Sequence, residues 1–298
     1  VLFRSLLQKA ARVLCSEEYR TALRQQLAAG ARSFAAARQA AVQALCPGSD
    51  IAALLDKPNN NLAVEYCKAI IEQNVEMQPI ALPRQGADHG QALTESAHAA
   101  FASASALRAL WAEGGAAALA PYVPEKALKL YIMAEYDGKY TDFAVMGHCE
   151  LALLRAACAG QAPFAAVRGV SEGLEHRLEN AVRETASLPA LLDALTTVRY
   201  PRARMRRLAM DAALGYTAQT PALPPYLHLL GARKEALPLP GETALPLSHS
   251  LARLARENET CAQMAAAQSR ASDLGALCRA KPEPMGGIYR QKIIFLTN

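Results

Sequence analysis

Residues 59–90, NNNLAVEYCKAIIEQNVEMQPIALPRQGADHG, decide the fold of the first part of the chain. Their first half carries apolar residues at three- and four-residue spacing, which predicts a helix. The short apolar run Met77–Pro83 then predicts a buried strand, and residues 84–90 predict a loop. A further helix is predicted at about Ser103–Trp111. Because one strand cannot form a sheet alone, this α/β unit implies a partner strand.

The sequence on both sides of this unit indicates helices. Hydrophobic residues make up 52% of the 298 residues and aromatic residues only 6%. Ala and Leu dominate the apolar fraction, and both favour helix. Residues 5–46 predict helices broken near Gly30, and helices are predicted almost throughout after Gly114. The exceptions are residues 217–247, which predict an irregular connection, and the terminal YRQKIIFL, which predicts a strand or an extended tail.

Composition limits the location and the cofactors of the protein. Its seven cysteines are scattered and never spaced as CxxC, so we expect buried free thiols, no zinc site and a reducing cytoplasm. No apolar run approaches the roughly 18–20 residues that span a bilayer, and the first residues lack an export signal. The chain begins with Val1 almost directly before a predicted helix, so we expect a soluble, cytoplasmic fragment without membrane contact.

Two polar segments flank the predicted strand. Asn59–Tyr66 begins a helix, where Asn side chains usually cap the backbone, but where carboxamides and free amides can also hold polar groups of a nucleotide. Arg84 and Gln85 follow the strand, and Gly86 lets the backbone approach a ligand. Ligands of open α/β sheets gather at this end of the strands, and a guanidinium there can bind phosphate. The alternative for Arg84 is a solvated turn residue.

The segment FASASALR, residues 101–108, combines small hydroxyl residues with a helix start. Ser103, Ser105 and Arg108 would place hydroxyls, free amides and a cation at one helix N-terminus, which suits phosphate oxygens. An ordinary Ser-capped helix explains the same residues equally well.

The segment TTVRYPRARMRRL, residues 196–208, is the most basic stretch of the chain. It holds five arginines in nine residues and no acid until Asp211. Because a helix turns by 100° per residue, its apolar residues form one stripe and its arginines cover the rest of the helix surface. Binding of a phosphate backbone requires such a cationic surface. The stripe consists of Met205, Leu208, Ala209 and Ala212. The candidate RNA-binding residues are Arg199, Arg202, Arg204, Arg206 and Arg207. The alternative is a solvated helix face, although such a face normally carries ion pairs along the helix.

In this order, these segments resemble the bacterial tRNA(Met) cytidine acetate ligase family of the HIGH-type nucleotidyltransferase superfamily. Asn59–Tyr66 resembles its Asn, apolar pair and Glu-Tyr pattern, Arg84–Ala87 its Arg-x-Gly-Ala, and Ser103–Arg108 its SxTxIR-like segment. Further likeness lies in EGLEHRL (172–178), VRYPRARMRRL (198–208), PPYLHLLG (224–231) and ASDLGAL with YRQKIIFL near the end.

The resemblance implies a mostly α fold with an incomplete Rossmann-like α/β nucleotidyltransferase domain at residues 1–115. A helical, RNA-binding C-terminal domain would follow at residues 116–298. It also implies that ATP, with Mg²⁺, and acetate form acetyl-adenylate, and that the acetyl group passes to N4 of the wobble cytidine of elongator tRNA(Met). The implied ATP-binding residues are Asn59, Arg84, Gln85, Ser103, Ser105 and Arg108. No catalytic acid or base is identified.

The sequence departs from the family at one signature. No two of its six histidines are spaced as HxGH, and the family's first strands are absent. We therefore expect that this chain alone does not make acetyl-adenylate. Two alternatives stay open, namely a non-catalytic helical RNA-binding protein and a helical module whose arginines bind acidic proteins.

Overall fold

The computed structural model describes residues 2–31, 33–82, 102–236 and 243–296, and these are mostly helical, as predicted. They form two compact units, Val1–Ala87 and Asp88–Asn298. The assignment of residues 1–115 to a nucleotidyltransferase domain follows from the family resemblance and stays a prediction.

The first unit is a small helical assembly. Its helices are α1 Leu2–Cys15, α2 Glu17–Ala28, α3 Phe34–Leu45, α4 Ile51–Leu54 and α5 Pro58–Glu72. The hydroxyls of Ser16 and Ser33 cap α2 and α3 by accepting backbone N–H bonds. Apolar side chains of α1, α4 and α5, among them Leu14, Ile51 and Val64, form a shared core. The helices predicted for residues 5–46 and for the segment that begins near Asn59 are therefore confirmed.

The predicted buried strand at Met77–Pro83 is wrong. Residues 75–82 have no strand assignment, and Met77, Ile80 and Leu82 are 65–85% exposed. No strand pairs with this segment in the described part of the chain. An isolated extended segment has no partner for its backbone N–H and C=O groups, so its apolar side chains have no sheet to cover.

The second unit contains the remaining helices. These are α6 Ala104–Gly114, α7 Glu125–Tyr136, α8 Phe143–Ala157, α9 Leu174–Glu184, α10 Leu188–Leu195, α11 Arg202–Ala213, α12 Leu251–Leu254, α13 Glu259–Leu277 and α14 Gly287–Arg290, with short 3-10 turns at Ala116–Leu119 and Lys234–Ala236. Its main core lies among α8, α9, α10 and α11, where Leu154, Leu178, Leu195 and Met205 are fully buried. This core fixes the position of α11.

Short parallel strands connect the rest of this unit. They are β1 Leu227–His228, β2 Gly231–Arg233, β3 Leu247–Ser248 and β4 Ile294–Leu296. Strand β1 pairs with β3, and β2 pairs with β4 in the register Gly231 to Ile294. Of the two interpretations of YRQKIIFL, a strand or an extended tail, the strand is correct for Ile294–Leu296, whereas Tyr289 and Arg290 belong to α14. The described part of residues 217–247 contains more regular structure than predicted.

The start of the second unit is held by one carboxylate. Glu135 of α7 accepts a hydrogen bond from the Trp111 indole at 3.0 Å and from the backbone N–H of Ala116 at 3.0 Å. Gly115, with φ +70°, makes the turn between α6 and this contact. These bonds hold α6, and with it the Ser103–Arg108 segment, against α7.

Candidate functional site

The apolar stripe of α11 docks the helix on the core, as predicted. Met205, Leu208, Ala209 and Ala212 are all buried, and α11 packs against α8 and α10. Pro201, with an extended backbone, sets the start of the helix. Because one side of α11 is buried in this way, the arginines occupy its outer side.

The arginine surface, as we call it, consists of Arg199 in the loop before α11 and of four residues of the helix itself, Arg202, Arg204, Arg206 and Arg207. Acids from other elements pair with two of them, because Arg199 contacts Glu172 and Arg202 contacts Asp193. The Arg204 guanidinium lies 5.0 Å from the centre of the Tyr200 ring, and it donates weakly to the carbonyl of Gly169 at 3.4 Å.

Arg206 and Arg207 are the least engaged members of the arginine surface. Both are exposed, and neither forms a salt bridge with the residues described by the structure. A guanidinium that keeps its donors in water can exchange that water for phosphate oxygens. These two residues are therefore the strongest candidates for phosphate contact.

Asp211, the first acid after the basic stretch, does not neutralise it. Arg168 binds both carboxylate oxygens of Asp211, with Nε–Oδ2 at 2.6 Å and Nη2–Oδ1 at 2.7 Å. This bond raises the pKa of Arg168. Sequence reasoning missed Arg168, because 43 residues separate it from its partner. The pair leaves the arginine surface without a further acid of its own helix.

Glu150 of α8 is a second residue that sequence reasoning missed. It is 1% exposed, and both of its carboxylate oxygens are buried without a hydrogen-bond partner in the described structure. Burial raises the pKa of Glu150 to about 7, and the positive charge of Arg206 opposes this shift. The signal in the sequence is an acid on the same helix face as Leu151 and Leu154.

The Ser103–Arg108 segment begins α6, as predicted. Ser103 is buried and its hydroxyl accepts the backbone N–H of Ala106 at 3.2 Å, so it is a helix cap. Ser105 and Arg108 are exposed on the first two turns. The cap thus accounts for Ser103, while Ser105 and Arg108 face solvent beside a helix N-terminus, which is chemically suited to phosphate.

The Asn59–Tyr66 segment begins α5, but the cap residue is Lys57 rather than an asparagine. The amides of Asn60 and Asn61 donate to the carbonyls of Leu54 and Leu55 at 3.1 and 2.7 Å. These bonds satisfy carbonyls at the end of α4. Asn59 itself is exposed. Its neighbours therefore have a structural role, and its own role in ATP binding stays a prediction.

The remaining predicted nucleotide-binding residues, Arg84 and Gln85, lie outside the described residues. The described segments at α5 and α6 belong to different compact units, so their convergence on one ligand also stays a prediction.

The described residues contain neither a candidate metal-binding cluster nor a helix that could span a membrane. No cluster of three or more His, Cys, Asp or Glu residues there could hold a metal ion, and no described helix is long and apolar enough to cross a membrane. All seven cysteines are free thiols, of which Cys67, Cys261 and Cys278 are buried. Burial raises the pKa of the Cys67 thiol and that of Cys278, the latter to about 11, so these thiols stay protonated and weakly reactive.

The fold agrees with comparisons to known proteins. A family model described as HIGH nucleotidyl transferase matches residues 4–285. The chain belongs to the HIGH nucleotidyl transferase family. The crystal structure of Thermotoga maritima TmcAL in its apo form superposes with a TM-score of 0.83 at 22% identity, covering 98% of this chain and 74% of that one. TmcAL bound with alpha-thio ATP gives a TM-score of 0.82 at 21% identity, with the same coverage.

Within the family, curated relatives of the chain are tRNA(Met) cytidine acetate ligases, which confirms the resemblance. The Listeria monocytogenes serotype 4b enzyme (strain CLIP80459) is 31% identical over 183 residues, 61% of this chain and 45% of that protein. The Thermoanaerobacter sp. (strain X514) enzyme is 28% identical over 217 residues, 72% of this chain and 52% of that protein. The chain spans about half the length of the curated relatives it matches.

Proposed function

We propose that this chain belongs to a cytoplasmic enzyme that uses ATP and acetate to acetylate N4 of the wobble cytidine of elongator tRNA(Met). The observation that carries the proposal is its 31% identity over 183 residues to a tRNA(Met) cytidine acetate ligase. The placement of an exposed arginine surface on the helical unit supports the RNA part of the proposal.

The chemistry has two steps. A carboxylate oxygen of acetate attacks the α-phosphorus of ATP, and pyrophosphate leaves as the acyl–phosphate bond forms. N4 of the cytidine then attacks the acetyl carbon, loses a proton, and displaces AMP. Both steps need positioning and neutralisation of phosphate charge, and Mg²⁺ bound with ATP would contribute to the neutralisation.

Within this proposal, α6 supplies part of the phosphate site. Ser105 and Arg108 are exposed on its first two turns, and the Ser103 cap keeps the helix N-terminus in shape. Asn59, Arg84 and Gln85 would add carboxamide and guanidinium contacts to the nucleotide. The exposure of Ser105, Arg108 and Asn59 supports these roles, because a bound nucleotide needs accessible partners.

The arginine surface would hold the tRNA backbone. Arg206 and Arg207 present guanidinium groups outside the ion pairs of Arg199 and Arg202. Contacts of this kind position an RNA without reading its sequence.

The expected inactivity of the isolated chain is tested by acetate-dependent ATP–pyrophosphate exchange. Because the sequence holds no HxGH, we expect the isolated chain to show no exchange above a no-protein blank. Exchange above the blank would refute the expected inactivity of the chain, and it would support the ligase chemistry directly.

The RNA half is tested by direct binding of tRNA transcripts to the chain. We expect elongator tRNA(Met) to bind more tightly than a tRNA of similar length with another anticodon. Equal affinity for both would overturn the tRNA(Met) specificity, and absence of binding to either would overturn the RNA-binding role.

A further inference from the structure

Glu150 of α8 places a carboxyl group inside the main core of the second unit. The residue lies one turn before the fully buried Leu154, and only 1% of its own surface is exposed. Neither carboxylate oxygen has a hydrogen-bond partner in the described part of the chain. Buried polar groups are normally hydrogen-bonded, because an unpaired one keeps the full cost of leaving water. Core packing alone therefore does not explain an acid at this position.

Arg206 of α11 lies on the helix that packs against the helix of Glu150. It directly follows the fully buried Met205 and stands one turn before the buried Ala209. Arg206 therefore borders the buried stripe, whereas Arg207 lies further round the helix. The positive charge of Arg206 acts on the Glu150 carboxyl, where it lowers a pKa that burial raises to about 7. One exposed guanidinium of the arginine surface is thus coupled to one buried acid.

Helices α9, α10, α11 and α13 pack against α8, and each carries other charged residues. Among the charged residues that the structure describes, Arg206 alone acts electrostatically on the Glu150 carboxyl. Arg207, Glu184 and Glu259 are exposed. The remaining titratable groups of these helices and of α8 have partners of their own: Asp193 pairs with Arg202, Glu179 with Arg183, Glu175 with His176, Asp211 with Arg168 and Cys149 with Cys278, Arg204 lies over Tyr200, and His148, Arg155, Arg177, Arg270 and Asp273 bind backbone groups.

The protonation state of Glu150 decides what Arg206 can do. A protonated Glu150 is neutral and does not hold the guanidinium, and in this structure Arg206 is exposed to solvent. An ionised Glu150 is a buried negative charge, and an adjacent guanidinium lowers the cost of burying it. Arg206 contacts a phosphate only when its side chain points outward, so it cannot serve both anions at once.

We propose that Glu150 and Arg206 form a proton-operated latch of the arginine surface: Arg206 is free to bind an RNA phosphate while Glu150 holds its proton, and it turns inward when Glu150 ionises. A phosphate that binds Arg206 cancels the charge that favours ionisation of Glu150, so the complex holds this proton more tightly than the free protein. By linkage, RNA binding takes up protons, and affinity falls as pH rises above about 7. The latch rests on the proposed RNA-binding function and adds a regulation to it.

The test measures the Kd for tRNA by fluorescence anisotropy at constant salt, at about pH 6 and about pH 9, on either side of the Glu150 titration. In E150Q this ionisation is absent, and pH acts only through groups that both proteins share, such as the six histidines. The Kd of the parent should therefore rise between the two pH values by a factor about three- to tenfold larger than in E150Q. Such a factor corresponds to a change of roughly half to one unit in the pKa of Glu150 on binding.

Two further variants separate the latch from a general loss of charge. R206A changes an exposed residue, and it should bind more weakly at pH 6 and show the smaller pH dependence of E150Q. R207A is the matched control, because it removes the same charge from the same helix at a position further from Glu150. It should also bind more weakly, but it should keep the pH dependence of the parent.

Three results would overturn the latch. An equal pH dependence in the parent and E150Q refutes it and leaves the arginine surface as a binding site. An R206A variant that keeps the pH dependence of the parent shows that Glu150 does not act through Arg206. Failure of the parent to bind tRNA at either pH refutes the RNA-binding function itself, and the latch with it. Circular dichroism at both pH values establishes that each protein is folded.

Discussion

At the scale of single residues, the environment of Glu150 gives the helical core a dependence on pH. Its carboxyl group is buried, without a hydrogen-bond partner in the described structure. Burial raises its pKa from an ordinary value of 4.5 to about 7. Between these values the unfolded chain has lost this proton and the folded chain keeps it. The folded state therefore loses stability as pH rises through this window.

The prediction concerns the substitution Glu150→Gln, which removes this ionisation. The free energy of unfolding of the variant should approach that of the parent near pH 4.5 and exceed it above pH 7, by on the order of 3 kcal/mol. Urea unfolding across the window measures the difference. Glu257→Gln, which changes an exposed residue, is the control. Its free energy of unfolding should depend on pH in the same way as that of the parent. Parallel curves for Glu150→Gln as well would contradict the burial argument.

Single residues also show which features of the site can be predicted from the sequence and which cannot. Exposure of Arg206 and Arg207 follows from their position opposite the apolar stripe, which is local information. The partners of Arg199 and Arg202 are Glu172 and Asp193, which lie on other elements, so only the tertiary fold brings them together. The basic stretch has no acid close to it in the sequence, but acids that the tertiary fold brings near it neutralise part of its charge.

At the scale of secondary-structure elements, α11 combines docking and charge in one helix. Its stripe is buried on α8 and α10, so changes to its outer side alter charge and leave the core packing in place. Each arginine that contacts phosphate should add to the salt dependence of RNA binding.

We predict that the double substitution Arg206→Ala and Arg207→Ala flattens the plot of log K against log salt for tRNA. The expected reduction in slope is roughly 0.7–0.9 for each phosphate that the variant no longer neutralises. A salt titration of tRNA binding measures it. The double substitution Arg199→Ala and Arg202→Ala is the matched control, because these arginines are paired with Glu172 and Asp193, and it should change the slope less. An unchanged slope in the double variant would mean that these two arginines do not bind phosphate.

Elements were predicted well where the signal was local. The helical periodicity of residues 202–213 identified both α11 and its buried stripe, and Ser103 identified the start of α6. The predicted strand at Met77–Pro83 failed because a strand depends on a partner, and composition records only that its residues are apolar. In the weakly alternating YRQKIIFL, only Ile294–Leu296 forms a strand, because β2 lies beside these residues and pairs with them.

At the scale of the whole molecule, the fold comprises two compact units with separate sets of core residues. Ile51 lies in the buried cluster of Val1–Ala87, and Leu178 lies in the main cluster of Asp88–Asn298. Both side chains are completely buried. A unit with its own core is able to unfold as its own cooperative transition.

We therefore predict that thermal unfolding of the chain resolves two transitions, each sensitive to one core. Ile51→Ala should lower one midpoint and Leu178→Ala the other, because each truncation leaves a cavity that costs about 2–5 kcal/mol in its own unit. Differential scanning calorimetry of the parent and both variants measures the midpoints. If both substitutions lowered a single shared transition by similar amounts, the two units would unfold together, and the independence inferred from their separate cores would be wrong.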